Sequence, residues 1–236
     1  MSFELNRPHW TSGDYRDFLE MLRKEADESY RDFSTRLTPG GENMLGIRIP
    51  RLRAIAKEIK KGNYAEYLRL EKGSIHEEII IEGNVMAMLK LPYEEILRCM
   101  DYFSDKISNW AICDTVSFKE LKKYLPQLME DVDRFILSEN PWKQRFGYGC
   151  LMGFCLTEEY IGQVLEKVQA VDSDFYYVQM MQAWLLATAL AKCEEPVKAF
   201  LKTVPMNETV TKMTIRKIRE SNRISRALKD ECRQWK

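Results

Sequence analysis

The sequence contains few of the residues that build metal sites. The 236-residue chain has only two histidines, and its six cysteines include no Cys-x-x-Cys pair. Neither residue type therefore offers a zinc site, and we expect no metal and no cofactor. We interpret the cysteines as small buried hydrophobic residues of a protein in a reducing compartment.

Long apolar runs are also lacking. No run approaches the length that spans a bilayer, and the first ten residues lack the charged-then-apolar pattern of an export signal. Apolar residues make up 45% of the chain and charged residues 31%, as in ordinary globular proteins. We therefore expect a cytoplasmic protein that has no membrane partner.

Strand signals are almost absent, whereas helix signals recur. No Asn-Gly or Asp-Gly turn joins alternating apolar runs. Pro50 suits a first helical position and Gly62 closes the same segment. Ser108 or Asn109 can cap a helix that continues to Phe118, and Asn140 can cap the next long one. Short breaks between amphipathic helices predict antiparallel neighbours in an all-α protein.

Helix starts recur at a spacing of about thirty residues, as in two-helix solenoid repeats. First helices are predicted to start near His76, Asn109, Asn140, Asp174 and Asn207. Second helices are predicted to start near Pro92, Leu121, Thr157 and Pro196. We predict one domain over 1–236, a right-handed superhelical solenoid of antiparallel helix pairs (HEAT-like repeats). Residues 1–45 form N-terminal helices and a loop, and 46–236 form the repeats.

Positive charge is clustered although the formal net charge is zero. Six basic residues stand against Glu58 alone between Asn43 and Lys61, and a second basic stretch runs from Thr211 to the end. Two such patches favour a nucleic-acid partner, although solvated helix faces would give the same pattern. The candidate DNA contacts in these patches are Arg48, Arg51, Lys212, Arg216 and Arg219.

Three helical segments each place two chemically distinctive side chains on one helix face. These pairs are Trp110 with Asp114, Trp142 with Arg145, and Tyr177 with Trp184. Each aromatic residue alone would be typical of a core, and Asp114 alone would suit a structural carboxylate paired with Arg145. If the helices stack in parallel layers, we expect Trp110, Asp114, Arg145 and Trp184 to converge on one concave wall.

The chemistry of this set suits a nucleotide that develops positive charge. Indole faces attract cations and sugar C–H edges, and a carboxylate stabilises a cationic transition state. A guanidinium can hold a phosphate through two hydrogen bonds. Cleavage of an N-glycosidic bond passes through an oxocarbenium-like sugar, beside which a fixed carboxylate would be the main catalytic element. The set therefore points toward damaged DNA.

Four segments carry a resemblance to a known family. Segments 44–53, 109–114, 141–145 and 183–186 resemble the bacterial DNA alkylation repair family, the HEAT-like-repeat alkylpurine DNA glycosylases of the AlkD type. The similarity extends over nearly all of 27–226. Its Leu-Gly-Ile-x-x-Pro, Trp-x-x-x-Asp and Trp-x-x-Arg motifs are jointly specific. Characterised active members carry Trp-Trp-Asp where this chain has Asn109-Trp110-Ala111.

The resemblance implies a solenoid that wraps duplex DNA and removes cationic N3- or N7-alkylated purines without flipping the base into a pocket. Matched position by position, it implies that Asp114 is the catalytic carboxylate and that Trp110 and Trp184 contact the sugar. It also implies that Arg145 clamps a phosphate. Trp142 and Tyr177 are further candidate DNA contacts. We expect a monomer in the bacterial cytosol that associates with the nucleoid when it binds DNA.

Two other functions are compatible with the same patterns. One is a protein that binds distorted or branched DNA without cleaving it, and the other is a solenoid whose concave face grips a partner helix. The basic patches disfavour the protein-binding solenoid. Asp114 favours the enzyme, because a carboxylate on a face that only binds DNA would repel phosphate.

Overall fold

The computed structural model of the protein describes residues 3–41 and 43–235. All regular secondary structure within these ranges is helical, which confirms the predicted all-α class. The chain forms two compact units, Met1–Lys123 and Tyr124–Lys236. Each unit is described by itself, and the expected single domain stays a prediction.

The first unit consists of short helix pairs that follow an N-terminal helical segment. Its helices are α1 (Ser12–Lys24), α2 (Glu28–Leu37), α3 (Ile49–Lys61), α4 (Tyr64–Arg69), α5 (His76–Ala87), α6 (Tyr93–Asp105), α7 (Trp110–Thr115) and a 3₁₀ helix (Lys119–Lys123). Helices α3, α5 and α7 pack in sequence, with α4 against α3 and α6 against α5. The sequence signals do not predict the short helix α4.

Most helix starts in the first unit agree with the sequence signals. Pro50 lies in the first turn of α3 and Gly62 follows its last residue, as predicted. Asn109 caps α7, but α7 ends at Thr115 and not at Phe118. The backbone is extended at Val116, where it turns Val116 and Phe118 into the core. Burial of two large side chains thus outweighs continuation of the helix.

The second unit continues the two-helix rhythm. Its helices are α8 (Leu125–Asp131), α9 (Asp133–Ile136), α10 (Pro141–Phe154), α11 (Ile161–Gln169), α12 (Tyr176–Leu190), α13 (Glu194–Thr203), α14 (Glu208–Glu220), α15 (Arg226–Glu231) and a second 3₁₀ helix (Cys232–Gln234). Helix α12 packs between α10 and α14, whereas α11 and α13 contact each other and α12. This two-layer arrangement is that of the predicted antiparallel repeats.

Helix α12 is the centre of the second unit. Its residues are buried on nearly every side, because α10 and α14 flank it and the outer helices cover it. It begins at Tyr176 without a side-chain cap, so the expected start at Asp174 is wrong by two residues. Asn140 caps α10, as the sequence predicts, and Asn207, near which a helix was predicted to start, caps α14.

The cysteines occupy the interior as small hydrophobic residues. Five of the six are buried, Cys99 is half-buried, and all six are free thiols. Burial raises the pKa of the Cys155 thiol to about 11, which keeps it protonated and unreactive at neutral pH. No helix among residues 3–41 and 43–235 is long and apolar enough to cross a bilayer.

Candidate functional site

The first part of the candidate site is helix α7, which is fixed at its start by a buried asparagine. Asn109 is fully buried, and its side-chain oxygen accepts the backbone N–H of Ile112 at 3.0 Å. Its amide nitrogen lies 3.3 Å from Nδ1 of His76 on α5. A six-residue helix would fray by itself, so these contacts hold the two site residues that it carries.

Trp110 is the first residue of α7. The indole is half-buried, and its Nε1 donates a hydrogen bond to the backbone oxygen of Leu37 at 3.1 Å. A cavity of about 220 Å³ lies beside it and is also lined by Tyr30, Phe33 and Ala111. The hydrogen bond restricts the indole to one orientation, with part of the ring accessible.

Asp114 lies on the last turn of the same short helix, and its side chain is exposed. The neighbouring Thr115 accepts a 3.3 Å hydrogen bond from Arg53 of α3 through its backbone oxygen. The end of α7 is thus tied to α3 while the carboxylate remains accessible to a ligand.

Arg145 in the second unit is buried, with 3% of its surface exposed. Its Nη1 donates to the backbone oxygen of Tyr177 at 2.6 Å, and the guanidinium carbon lies 6.0 Å from the centre of the Tyr177 ring. Tyr177 is the second residue of α12. The guanidinium therefore connects the inner side of α10 to the start of α12.

An aromatic cluster surrounds this connection. The ring of Trp142 lies 5.2 Å from that of Phe175 and 5.2 Å from that of Tyr177. The adjacent Tyr176 ring meets Tyr177 edge-on at 5.1 Å and is 52% exposed. Trp142 and Tyr177, which the sequence places on two helices, are thus in contact at the N-terminal ends of α10 and α12.

Trp184 is an exposed side chain on an otherwise buried helix. It lies mid-way along α12 and is 41% exposed. The ammonium nitrogen of Lys217 on α14 lies 5.7 Å from the indole, which is cation–π distance. A cavity of about 570 Å³ opens beside the ring. The convergence of Trp184 and Arg145 with Trp110 and Asp114 involves both units and stays a prediction.

Two basic residues near α3 pair with acidic residues more than twenty positions earlier in the sequence. Arg51 donates two hydrogen bonds to the carboxylate of Glu25, at 2.7 and 2.5 Å. Arg48 lies 3.8 Å from the carboxylate of Asp27 and stacks on Tyr30 at 4.4 Å. Glu58 is therefore not the only acid that offsets this patch, although Arg48 and Arg51 remain exposed.

The basic face of α14 is exposed and only locally paired. Lys212 pairs with Glu208 at 2.5 Å and Arg216 with Glu220 at 2.9 Å, each one helical turn apart. Arg219 is exposed and forms no ion pair within the part of the chain that the structure describes. Exposed pairs of this kind contribute little to stability, so a phosphate group can replace them at small cost.

The structure also adds residues that the sequence reasoning missed. Lys217 and Arg223 line the Trp184 cavity, whereas the sequence shows them only as members of a basic stretch. Their relation to Trp184 depends on the packing of α14 against α12, for which a linear pattern gives no signal. Among the described residues, no cluster of three or more His, Cys, Asp or Glu side chains is suited to a metal ion.

The sequence matches the model of a known protein family. A sequence model described as DNA alkylation repair enzyme matches residues 18–222, which is most of the chain. No curated protein matches the sequence. The family match covers α7, α10, α12 and nearly all of the helical repeats described above. The chain therefore belongs to the DNA alkylation repair enzyme family, which has a role in the repair of alkylated DNA.

Proposed function

We propose that the protein is a monofunctional DNA glycosylase that excises cationic N3- and N7-alkylated purines from duplex DNA. The observation that carries this proposal is the exposed Asp114 carboxylate on α7, one turn from Trp110, in a chain of this family. Asn109 and Arg53 hold the two ends of that helix. A carboxylate that is accessible and fixed in place is what stabilisation of a developing cation requires.

The proposed reaction is hydrolysis of the N-glycosidic bond. The bond between the sugar C1′ and N9 of the purine breaks, and its electron pair moves to the purine, which leaves as a neutral base. The positive charge passes to the sugar as an oxocarbenium ion, beside which the carboxylate of Asp114 is stabilising. A water oxygen, positioned by the same carboxylate, bonds to C1′ and releases a proton. The products are an abasic site and a free alkylpurine.

Both tryptophans are proposed to contact the sugar. The indole of Trp110 is oriented by its hydrogen bond to Leu37, so that its accessible part can face the sugar without further ordering. Trp184 presents 41% of its surface on α12 and is the proposed sugar contact of the second unit. Indole faces favour cationic groups and C–H edges, which suits both residues to the charged sugar.

DNA binding is proposed to rest on exposed cations and aromatic rings. Arg48 and Arg51 in the first unit, and Lys212, Arg216 and Arg219 in the second, are the proposed phosphate contacts. Trp142 and Tyr177 are proposed DNA contacts at the starts of α10 and α12. For Arg145, burial and the bond to Tyr177 favour a positioning role over the direct phosphate clamp that the resemblance implies.

The substitution Asp114→Asn tests the enzymatic role. We expect it to abolish release of 7-methylguanine and 3-methyladenine from methylated duplex DNA, because a neutral amide cannot stabilise the oxocarbenium ion. DNA affinity should be equal or tighter, since a charge that repels phosphate is removed. The matched control is Asp105→Asn, an exposed carboxylate at the end of α6, which should leave release unchanged. Unchanged release by Asp114→Asn would exclude this residue from the mechanism.

A DNA-structure-binding protein without excision activity is the second candidate. The exposed basic residues of α3 and α14 favour DNA binding whether or not excision follows. Wild-type protein that binds duplex DNA with a steep salt dependence but releases no base would establish this second function. Affinity that hardly changes with salt would instead indicate a protein partner, whose binding depends on apolar contacts.

A further inference from the structure

The cavity beside Trp184 is lined by an exposed indole and by cationic side chains, none of which the packing of the helices requires. It lies entirely within the second unit, between the C-terminal halves of α12 and α14 and the segment that follows α14. Its volume is about 570 Å³, and it is lined by Trp184, Lys217 and Arg223, with Met152 and Thr188 among the other residues. An exposed indole at the edge of an open cavity is available to a ligand.

The charge of the cavity is positive. Three cationic side chains line it, Lys192, Lys217 and Arg223, against one carboxylate, Glu220. That carboxylate accepts a hydrogen bond from Arg216 at 2.9 Å, and this bond, together with the charges of Arg216 and Lys217, lowers the pKa of Glu220. Arg223 forms no ion pair among the described residues. The cavity therefore carries more cations than carboxylates, and the Arg223 guanidinium can donate to a bound anion.

Helix dipoles explain only part of this arrangement. Cations in the last turn of a helix are stabilised by the macrodipole, which accounts for Lys217 near the end of α14. The dipole does not account for an indole that is 41% exposed in the middle of α12. Nor does it account for Arg223, which lies beyond α14 and still lines the same cavity.

We infer that this cavity is a phosphodiester-binding subsite, in which Lys217 and Arg223 hold a backbone phosphate of the nucleotide that contacts Trp184. The inference rests on the proposed function, because it takes DNA as the ligand. An aromatic face beside two cations matches a nucleotide, whose sugar lies on the ring while its phosphate accepts charged hydrogen bonds. In the free protein the Lys217 ammonium lies over the ring, and phosphate binding draws it away. Both residues position the nucleotide and are not catalytic.

Charge-removing substitutions test the subsite through DNA binding alone. Lys217→Gln and Arg223→Gln should each weaken binding to unmodified duplex DNA roughly tenfold, the value of one charge-assisted hydrogen bond. Each should also make the salt slope shallower by about one. The matched control is Arg226→Gln, an exposed cation on α15 that does not line the cavity, for which we expect a loss of about twofold. Thermal unfolding of each variant shows whether its fold is retained.

Neutral-backbone DNA gives the sharper test. A set of duplexes is made in which a methylphosphonate replaces one phosphate at a time, and each is bound to wild-type protein and to Lys217→Gln. When the methylphosphonate replaces the phosphate that Lys217 contacts, the affinity of wild-type protein should fall to that of Lys217→Gln. The affinity of Lys217→Gln for the same duplex should fall little further. The subsite would be overturned if, at every position, the loss of affinity from the methylphosphonate added to the loss from Lys217→Gln. Equal losses of affinity for Lys217→Gln and Arg226→Gln would overturn it too.

The outcomes separate this inference from the proposed function. Wild-type protein that binds DNA but releases no base would reject the glycosylase and leave the subsite supported by the binding data. Normal base release combined with unaltered DNA binding by Lys217→Gln and Arg223→Gln would reject the subsite alone. Absence of DNA binding by wild-type protein would reject both.

Discussion

The carboxylate of Glu77 accepts the backbone N–H of Gly46 at 2.7 Å. The same carboxylate accepts the N–H groups of Leu45 and Ile47, at 2.9 and 3.1 Å, and Glu77 is 1% exposed. Gly46 has a φ of +90°, and a Cβ there would lie 2.3 Å from the Asp27 oxygen. The loop that precedes α3 thus requires a glycine at its bend and a buried carboxylate beneath it.

Loss of this carboxylate should destabilise the protein. Glu77→Ala leaves three N–H groups at the buried end of the loop without their acceptor, so we expect the free energy of unfolding to fall by about 3 kcal/mol. Urea unfolding measures the change. The control is Glu94→Ala on α6, where the carboxylate is exposed and the change should stay within about 0.5 kcal/mol. Equal effects of the two substitutions would show that the Glu77 contacts add no stability.

The cap of α7 should affect base release more than stability. Asn109→Ala removes the acceptor for the Ile112 N–H and should cost about 1 kcal/mol of unfolding free energy. Because α7 carries Trp110 and Asp114, base release should fall well below that of wild-type protein, whereas Asn109→Asp keeps the acceptor and should recover part of it.

Asn63 provides the matched control for that experiment. Its side chain caps α4 through the N–H of Glu66 at 3.2 Å, so Asn63→Ala removes a comparable cap elsewhere in the same unit. We expect a similar loss of stability and normal base release, measured with the same methylated duplex DNA. Equal losses of release in Asn63→Ala and Asn109→Ala would mean that destabilisation, and not the placement of α7, limits the reaction.

A buried lysine should make stability depend on alkaline pH. The Lys72 side chain is fully buried, donates to the backbone oxygens of Tyr67 and Leu70, and lies 3.9 Å from Glu82. Burial lowers its pKa from 10.5 to about 8, against the opposing effect of Glu82. Below pH 8 both folded and unfolded chains carry this proton, and the cost of burying the charge is fully present.

Between pH 8 and 10.5 the folded protein loses the Lys72 proton while the unfolded chain still binds it. The unfolded chain then holds more protons, so the contribution of Lys72 to stability rises with pH by up to about 3 kcal/mol. The difference in unfolding free energy between wild-type protein and Lys72→Met, measured across that range, should show this rise. The control is Lys61→Met at an exposed lysine, which should change the free energy of unfolding little. Parallel curves for Lys72→Met would contradict the shift.

The sequence predicted the features of the fold that depend on local signals. Asn109 and Asn140 cap helices as expected, because an asparagine cap bonds to a backbone N–H two or three residues away. The start of α12 was placed too early, because Asp174 lies beside a helix that begins without any side-chain cap.

Local sequence signals could not predict contacts between segments that are distant in the sequence. Glu77, Glu78 and Glu82 are all buried, and no local pattern predicts this, because they have partners far away in the sequence. Glu82, for example, bonds to Tyr102 at 3.0 Å and to Lys106 at 2.8 Å. The exposure of Trp184 and the burial of Arg145 were hidden for the same reason: both depend on how α10, α12 and α14 pack.

The burial of Arg145 leads to a prediction about how it supports DNA binding. Arg145→Ala removes the hydrogen bond to the Tyr177 oxygen and leaves a void between α10 and α12, so the free energy of unfolding should fall by about 3 kcal/mol. Arg219→Ala, which removes an exposed guanidinium, should leave stability nearly unchanged.

DNA binding by the Arg145 variant separates positioning from direct contact. A residue that only orients the start of α12 should weaken binding to all sequences alike, without changing the salt slope, because no phosphate contact is lost. Arg145→Lys keeps the charge and a donor for the Tyr177 oxygen, so it should recover part of the affinity. A salt slope that becomes shallower by about one in Arg145→Ala would instead show that this guanidinium contacts a phosphate, and the positioning role would be wrong.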